Sequence, residues 1–288
     1  MSEILGAADD PRGGAPTKAF ERQVGVRGPS RSQLEGAFGS VVAHAEPAPH
    51  REPDDVCQDS TLVVPTDDGL VLAVADGVGG SRGGAEASRL AMDTLFDALT
   101  SASEAGLREV VMDAFEKADA AAQASTVVGS TTLLVAEVQG GVLRTYNTGD
   151  SEALVVGGRG KIKLRTVSHS PVGYQVAAGV LDAEEALHHD MRHYISNAVG
   201  TGEMRIDVGP SYSLAAHDTL VLGSDGLFDN VTIEEIAELV RRGPLGDAAE
   251  ALVELARRRM RQPGEGEPSK PDDLSVVLFR PPRGRSRG

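Results

Sequence analysis

The feature that most constrains this chain is a series of paired apolar β-runs joined by tight Asp and Gly turns. Runs 61–65 and 70–75 flank Asp67, Asp68 and Gly69; runs 131–138 and 142–147 flank Gly140 and Gly141; runs 212–215 and 219–223 flank His217 and Asp218. Asp-Gly or Gly-Gly between apolar runs is a hairpin signal, so the spacing predicts three hairpins and mainly antiparallel pairing. Helical stripes lie between them: Ala87, Leu90, Ala91, Thr94, Leu95 and Ala98; Ile233, Ile236, Ala237 and Val240; Leu252, Leu255, Ala256 and Met260. Each has a charged opposite face. Asn230 or Thr232, with Glu234 and Glu235 just inside, offers the second helix a capped start. One-sided helices between antiparallel strands predict an α+β fold, a β-sandwich with helices on the outside.

With 288 residues the chain can bury a sizeable core. Asp and Glu outnumber Lys and Arg by 43 to 28, a formal charge of −15 that disfavours nucleic acid and anionic membrane as partners. Cys57 is the only cysteine, so neither a disulfide nor a thiolate zinc cage is available, and a cytoplasmic, reducing location is expected. No apolar run approaches the ~20 residues of a membrane span. Residues 1–53 are rich in Gly, Pro, Ser and Arg and predict a largely disordered segment with a candidate first strand at 38–45. Residues 54–280 form the expected domain, 168–196 an inserted flap with four of the seven histidines, and 281–288 a short basic tail.

The strand ends carry the chemistry. Asp76-Gly77 follows one run, Gly149-Asp150 another and Asp225-Gly226 a third, while Asp272-Asp273 after Pro271 precedes a fourth. A single Asp-Gly after a strand is ordinarily only a turn. Four such ends meeting in one sandwich, with no Lys or Arg among them, would repel one another unless cations neutralise them. Oxygen ligands of this kind select Mg²⁺ or Mn²⁺. Gly77 lets a backbone carbonyl approach closely, and Gly79, Gly80, Gly83 and Gly84 leave room for a bulky substrate. A nucleotide loop is excluded, because the run from Gly77 to Arg82 fits neither the dinucleotide pattern nor the P-loop.

In order and approximate spacing, Ala75-Asp76-Gly77-Val78-Gly79-Gly80, Gly129-Ser130-Thr131-Thr132, Thr148-Gly149-Asp150-Ser151, Gly223-Ser224-Asp225-Gly226 and Pro271-Asp272-Asp273-Leu274-Ser275 resemble the metal-dependent protein phosphatases of the PP2C (PPM) family, and look most like its bacterial and Ptc7-like branch. The resemblance implies a PP2C-like αββα sandwich, with two tight Mg²⁺ or Mn²⁺ ions at one end and a third held loosely. By it, Asp76 bridges the metals, the Gly77 carbonyl binds one, Asp225 and Asp272 complete the shell, Asp150 holds the third ion and Asp59 orients water. The implied reaction is hydrolysis of phosphoserine or phosphothreonine by a metal-bridging water, on a phosphorylated protein substrate, by a monomer.

Three positions depart from the family pattern. Gln58 stands for a Glu, Asp54 for a phosphate-binding Arg with Arg51 out of register, and Val78 for a His. They motivate the alternative of a non-catalytic PP2C-like module that binds metal or a signalling partner. Cys57 lacks a thiol-phosphatase loop and reads as an incidental thiol. His169, His188, His189 and His193 are candidate leaving-group acids, with solvated surface histidines the favoured reading.

Overall fold

In the computed structural model, the structure describes residues 2–3, 21–52, 55–78, 83–101, 106–192 and 194–282. Two antiparallel sheets stack face to face. The first runs, in spatial order, β1 (Ser2–Glu3), β2 (Glu21–Gln23), β5 (Ser60–Pro65), β6 (Gly69–Ala75), β9 (Leu133–Gln139), β10 (Val142–Thr148) and β13 (Asp207–Val208), with β14 (Tyr212–Ser213) also paired to β10. The second runs β12 (Ile162–Arg165), β11 (Glu152–Val156), β15 (Thr219–Gly223), β16 (Leu274–Arg280), β4 (Gly39–Glu46) and β3 (Ser30–Gly36). A short ribbon pairs β7 (Gly77–Val78) with β8 (Ser130–Thr131).

Alternate residues of one strand serve different cores. Leu70, Leu72 and Val74 of β6 face the other sheet and meet Val41, Leu222, Val277 and Phe279. Val71, Ala73 and Ala75 point outward to Met92 and Leu95 of α1 (Gly84–Ser101) and to Val111 and Phe115 of α2 (Leu107–Ala124). Behind the second sheet, Val221, Val276 and Leu278 pack on α6 (Ile233–Val240) and α7 (Leu245–Arg261). Burial on both faces is why the strands read as nearly unbroken apolar runs. Thr232 is the N-cap of α6, in a reciprocal capping box with Glu235. The flap contains α3 (Pro171–Ala177) and α4 (Ala183–Ala186), and α5 (Asp225–Phe228) follows β15.

Two expectations change. The first two hairpins form, with Pro65 opposite Leu70 and Gln139 opposite Val142, but the third does not. Its halves, β14 and β15, lie in different sheets, because Leu214 and Tyr212 serve the inter-sheet core from the first sheet while β15 pairs with β11 and β16. Residues 1–53 are not largely disordered from residue 21 onward: β2, β3 and β4 are built into both sheets. Residues 1, 4–20 and 283–288 lie outside the described residues.

Glu21 and Gln23 are buried on β5, Gln23 Nε2 reaches the Ala43 carbonyl across the sandwich, Arg22 pairs with Asp93 on α1, and Val26 packs on Cys57 and Ala45. Deleting 1–28 is therefore expected to cost about 3–5 kcal/mol, from lost buried hydrogen bonds and apolar contacts. Thermal melts of full-length and truncated protein check this, with a fall of roughly 10 °C expected.

Candidate metal centre and active site

Antiparallel register brings the chemistry to one rim. Ser60, opening β5, lies opposite Ala75, closing β6; Leu133, opening β9, lies opposite Thr148, closing β10; Gly223, closing β15, lies opposite Val276 near the start of β16. The residues just outside these ends are Asp59, Asp76, Asp150, Asp225 and Asp272, and their charges act on one another.

The rim is dry. Asp59 is 1% exposed and Asp150 7%. One carboxylate oxygen each of Asp150 and Asp225 is buried without a hydrogen-bond donor, and buried Asp59 meets only the Ser224 hydroxyl. Burial, then repulsion from Asp273, Asp225 and Asp272, holds the Asp59 carboxyl well above its usual range, against a smaller opposing pull from the Ser224 hydroxyl. Burial and four neighbouring carboxylates raise Asp76, and burial followed by Asp225 raises Asp150. The same two causes push Asp229 up to about 7 and Asp272 to about 6, with Lys270 opposing in both.

Lys270 corrects the expectation of a rim without Lys or Arg. Its ammonium pairs with Asp225 and lies 3.2 Å from Asp229 and 3.5 Å from Asp272. Asn230 anchors this segment, donating to the Lys270 carbonyl at 2.8 Å and accepting from its backbone N–H at 2.8 Å, while Arg192 of the flap donates to the Ser269 carbonyl. Asp229 and Lys270 escaped the sequence reading, and Asn230, expected only as a candidate helix cap, holds the Lys270 backbone while Thr232 caps α6. Lys270 stands two residues before Asp272, a spacing that was the available signal.

The paired aspartates at the start of β16 have different surroundings. Asp273 is buried and its carboxylate accepts four hydrogen bonds, from Ala48 N and Arg51 Nε (2.7 and 2.8 Å) on one oxygen and from Gln58 N and Arg51 Nη2 (2.7 and 2.9 Å) on the other. Asp272 accepts one backbone hydrogen bond, from Asp273 N, and turns its other oxygen toward Lys270. Arg51, out of register in the sequence, thus reaches the rim and also donates to the Gln58 side-chain oxygen at 3.1 Å. Asp54, Gly79 and Gly80 lie outside the described residues.

Local backbone holds the remaining positions. Thr132 Oγ1 accepts from Asp76 N at 2.9 Å, and Thr131 Oγ1 and Thr132 N donate to the Asp76 carbonyl, each at 2.8 Å. A Cβ on Gly77 would stand 2.3 Å from the Gly84 carbonyl oxygen, so no other residue fits there. Asp150 follows Gly149, whose φ of 112° favours glycine. Gly149 N donates to His169 Nδ1 at 3.1 Å and Asn197 donates to the same nitrogen, so the His169 proton is on Nε2, facing Asp207 at 2.9 Å. His169 is fully buried, against the expectation of a solvated surface histidine, because both ring nitrogens are used to hold the Asp150 turn. His188 is exposed, and His193 lies outside the described residues. The Cys57 thiol is fully buried, and burial followed by the Asp59 charge pushes its pKa up, so it is no nucleophile.

Between the rim and the flap runs a groove of about 360 Å³, lined by Asp150, Arg165, Ser170, Val176, Arg192 and Asp229 among others.

These residues fit divalent metal. Every donor is a hard oxygen, and the unpartnered buried carboxylates require a cation to offset their repulsion. Among the described residues no three acidic, His or Cys side chains are drawn together tightly enough to form a ready-made cage. Lys270 neutralises part of the cluster instead. The raised carboxyls give a pH dependence of known sign. Folded Asp229 and Asp272 bind protons more tightly than an unfolded Asp, so above the unfolded pKa of about 4 their ionisation erodes folding stability, completely once pH exceeds about 7. In metal-free buffer the melting temperature should therefore be higher at pH 6 than at pH 8, and saturating Mn²⁺ should diminish that difference. The lowered carboxyls Glu46, Glu235 and Glu267 act in the opposite sense only near pH 4 and below.

A two-sheet sandwich with an acidic rim of this kind defines a class, the metal-dependent phosphohydrolases. The family model for protein phosphatase 2C matches residues 48–262, and the chain belongs to that family. Protein phosphatase PhpP of Streptococcus pneumoniae is 30% identical over 197 residues, covering 65% of this chain and 79% of PhpP. The serine/threonine phosphatase of S. agalactiae superposes with a TM-score of 0.70 at 25% identity, over 88% of this chain and 99% of that one. The catalytic domain of the serine/threonine protein phosphatase PstP, solved with two manganese ions, gives 0.67 at 26% identity over 83% and 96%. Among the described residues no helix is long and apolar enough to cross a membrane.

Proposed function

We infer that the acidic rim is the reaction centre of a metal-dependent protein phosphatase acting on phosphoserine and phosphothreonine. The observation that carries this is the convergence of buried carboxylates, several of their oxygens without a donor, at the mouth of a groove. Asp76, Asp225, Asp272 and the Gly77 carbonyl would hold two Mg²⁺ or Mn²⁺ ions, the number of manganese ions in the PstP structure, and Asp150 a third. Bound there, the ions would supply an acidified water and offset charge on the phosphoryl oxygens.

The chain's own groups do the positioning. Asp59, buried and met by the Ser224 hydroxyl, orients the attacking water. His169 fixes Asp150 and, with both nitrogens engaged, is not the leaving-group acid. Arg51 has Nε and Nη2 committed to Asp273 and Gln58, leaving Nη1 for a phosphoryl oxygen. A guanidinium at the rim removes one motive for the non-catalytic alternative. The groove under the flap receives the substrate segment that carries the phosphate. The charge of −15 and the single buried cysteine support a cytoplasmic protein that binds neither nucleic acid nor membrane.

Phosphate release from para-nitrophenyl phosphate and from a phosphothreonine peptide, with Mn²⁺, Mg²⁺ or chelator, tests this. Release is expected only with metal. Full activity in chelator would overturn the metal assignment, and no release with any metal would favour the non-catalytic module.

A further inference from the structure

At the other end of the second sheet the electrostatics reverse. The turn between β11 and β12, the residues before β15, the α6–α7 connection and the last residue of β16 enclose a cavity of about 650 Å³. Its wall carries Arg159, Lys161, Lys163, Arg241, Arg242 and Arg280, six of the chain's 28 Lys and Arg. Asp218 is the only carboxylate in the lining. The cavity lies about 25 Å from Asp272 along β16, by the rise of an extended strand.

These cations are built in. Arg280 donates to the Gly243 carbonyl at 2.6 Å, to the Val240 carbonyl at 2.9 Å and to Thr219 Oγ1 at 3.1 Å, which fixes its guanidinium against the wall. Lys163 is tied to buried Asp218 at 2.5 Å, and Arg241 to Glu238. Arg242 donates to the Gly158 carbonyl at 3.3 Å, closing the turn over the cavity. The side chains of Arg159 and Lys161, on that turn, are exposed and make no hydrogen bond or ion pair among the described residues. Six cations against two carboxylates repel one another, and an anion of high charge density relieves that repulsion.

We propose that this cavity is a binding site for a compact diphosphate-type anion, remote from the reaction centre. The volume suits a small ligand. The lining contains no Phe, Tyr or Trp on which a base could stack, and its donors are guanidinium and ammonium groups, so recognition falls on adjacent phosphates. The diphosphate is free pyrophosphate or the phosphate chain of a nucleotide. The assignment stands independently of the phosphatase activity.

Calorimetry of the full chain in buffer stripped of metal on a chelating resin tests it, with pyrophosphate, ADP and adenosine as probes. Pyrophosphate should bind at one site and weaken as NaCl rises from 50 to 200 mM. The double variant Arg159→Ser/Lys161→Ser should lose at least ~10-fold in affinity. Its unliganded melting temperature and its metal-dependent rate on para-nitrophenyl phosphate should stay unchanged. Binding of ADP as well identifies a nucleotide's phosphate chain as a source; binding of pyrophosphate alone identifies the free anion. No binding by the wild type, equal affinity in the variant, or binding of adenosine would overturn the proposal.

Discussion

Asp76→Asn should lower turnover at least ~100-fold and, at the same time, raise the melting temperature of the metal-free protein. The two effects have one origin. Asp76 is set among Asp59, Asp225, Asp272 and Asp150, so its charge is unfavourable until metal arrives. A neutral amide of the same shape relieves the repulsion, yet removes the carboxylate assigned to bridge the ions. Asp225→Asn should lose turnover equally without gaining apo stability, because Asp225 is the nearest partner of the Lys270 ammonium. Steady-state rates in Mn²⁺ and melts in metal-free buffer distinguish the pair. An Asp76→Asn protein with normal turnover would remove Asp76 from the centre.

Asp273→Asn should be strongly destabilising. The carboxylate accepts four hydrogen bonds, two of them from Arg51. An amide can accept only at its oxygen and turns its NH2 group toward donors, leaving one Arg51 N–H and one backbone N–H facing it without an acceptor. The expected cost is about 2–4 kcal/mol, or roughly 5–10 °C in melting temperature. Asp272→Asn should instead leave the melting temperature within a few degrees and abolish turnover. Equal melts for both variants would show that the Arg51 clamp contributes nothing to stability.

Much of this arrangement was legible in the residues. The Gly140-Gly141 turn and the Asp67–Gly69 turn announce their hairpins because local backbone geometry decides them. The stripes of α1, α6 and α7 show through because each buries one face only. The aspartates beside glycine or proline at four strand ends follow from the same local logic: register in an antiparallel sheet fixes which ends share a rim. Where pairing is non-local the reading failed. The runs 212–215 and 219–223 look like a hairpin, yet β14 and β15 join different sheets, and strands β2 and β3 hide in a Gly- and Pro-rich segment because their partners, β5 and β4, supply the burial.

By itself, then, the order of residues determined the antiparallel sandwich, its helical cover, the acidic rim and the oxygen chemistry of that rim, since each depends on short-range periodicity or on residue type. The tertiary structure alone decided which charges meet. Lys270 reaches Asp225 across 45 residues and Arg51 reaches Asp273 across 222, and the six cations of the remote cavity come from three separate segments. Electrostatic contacts of that range act through space, and no local pattern in the chain records them.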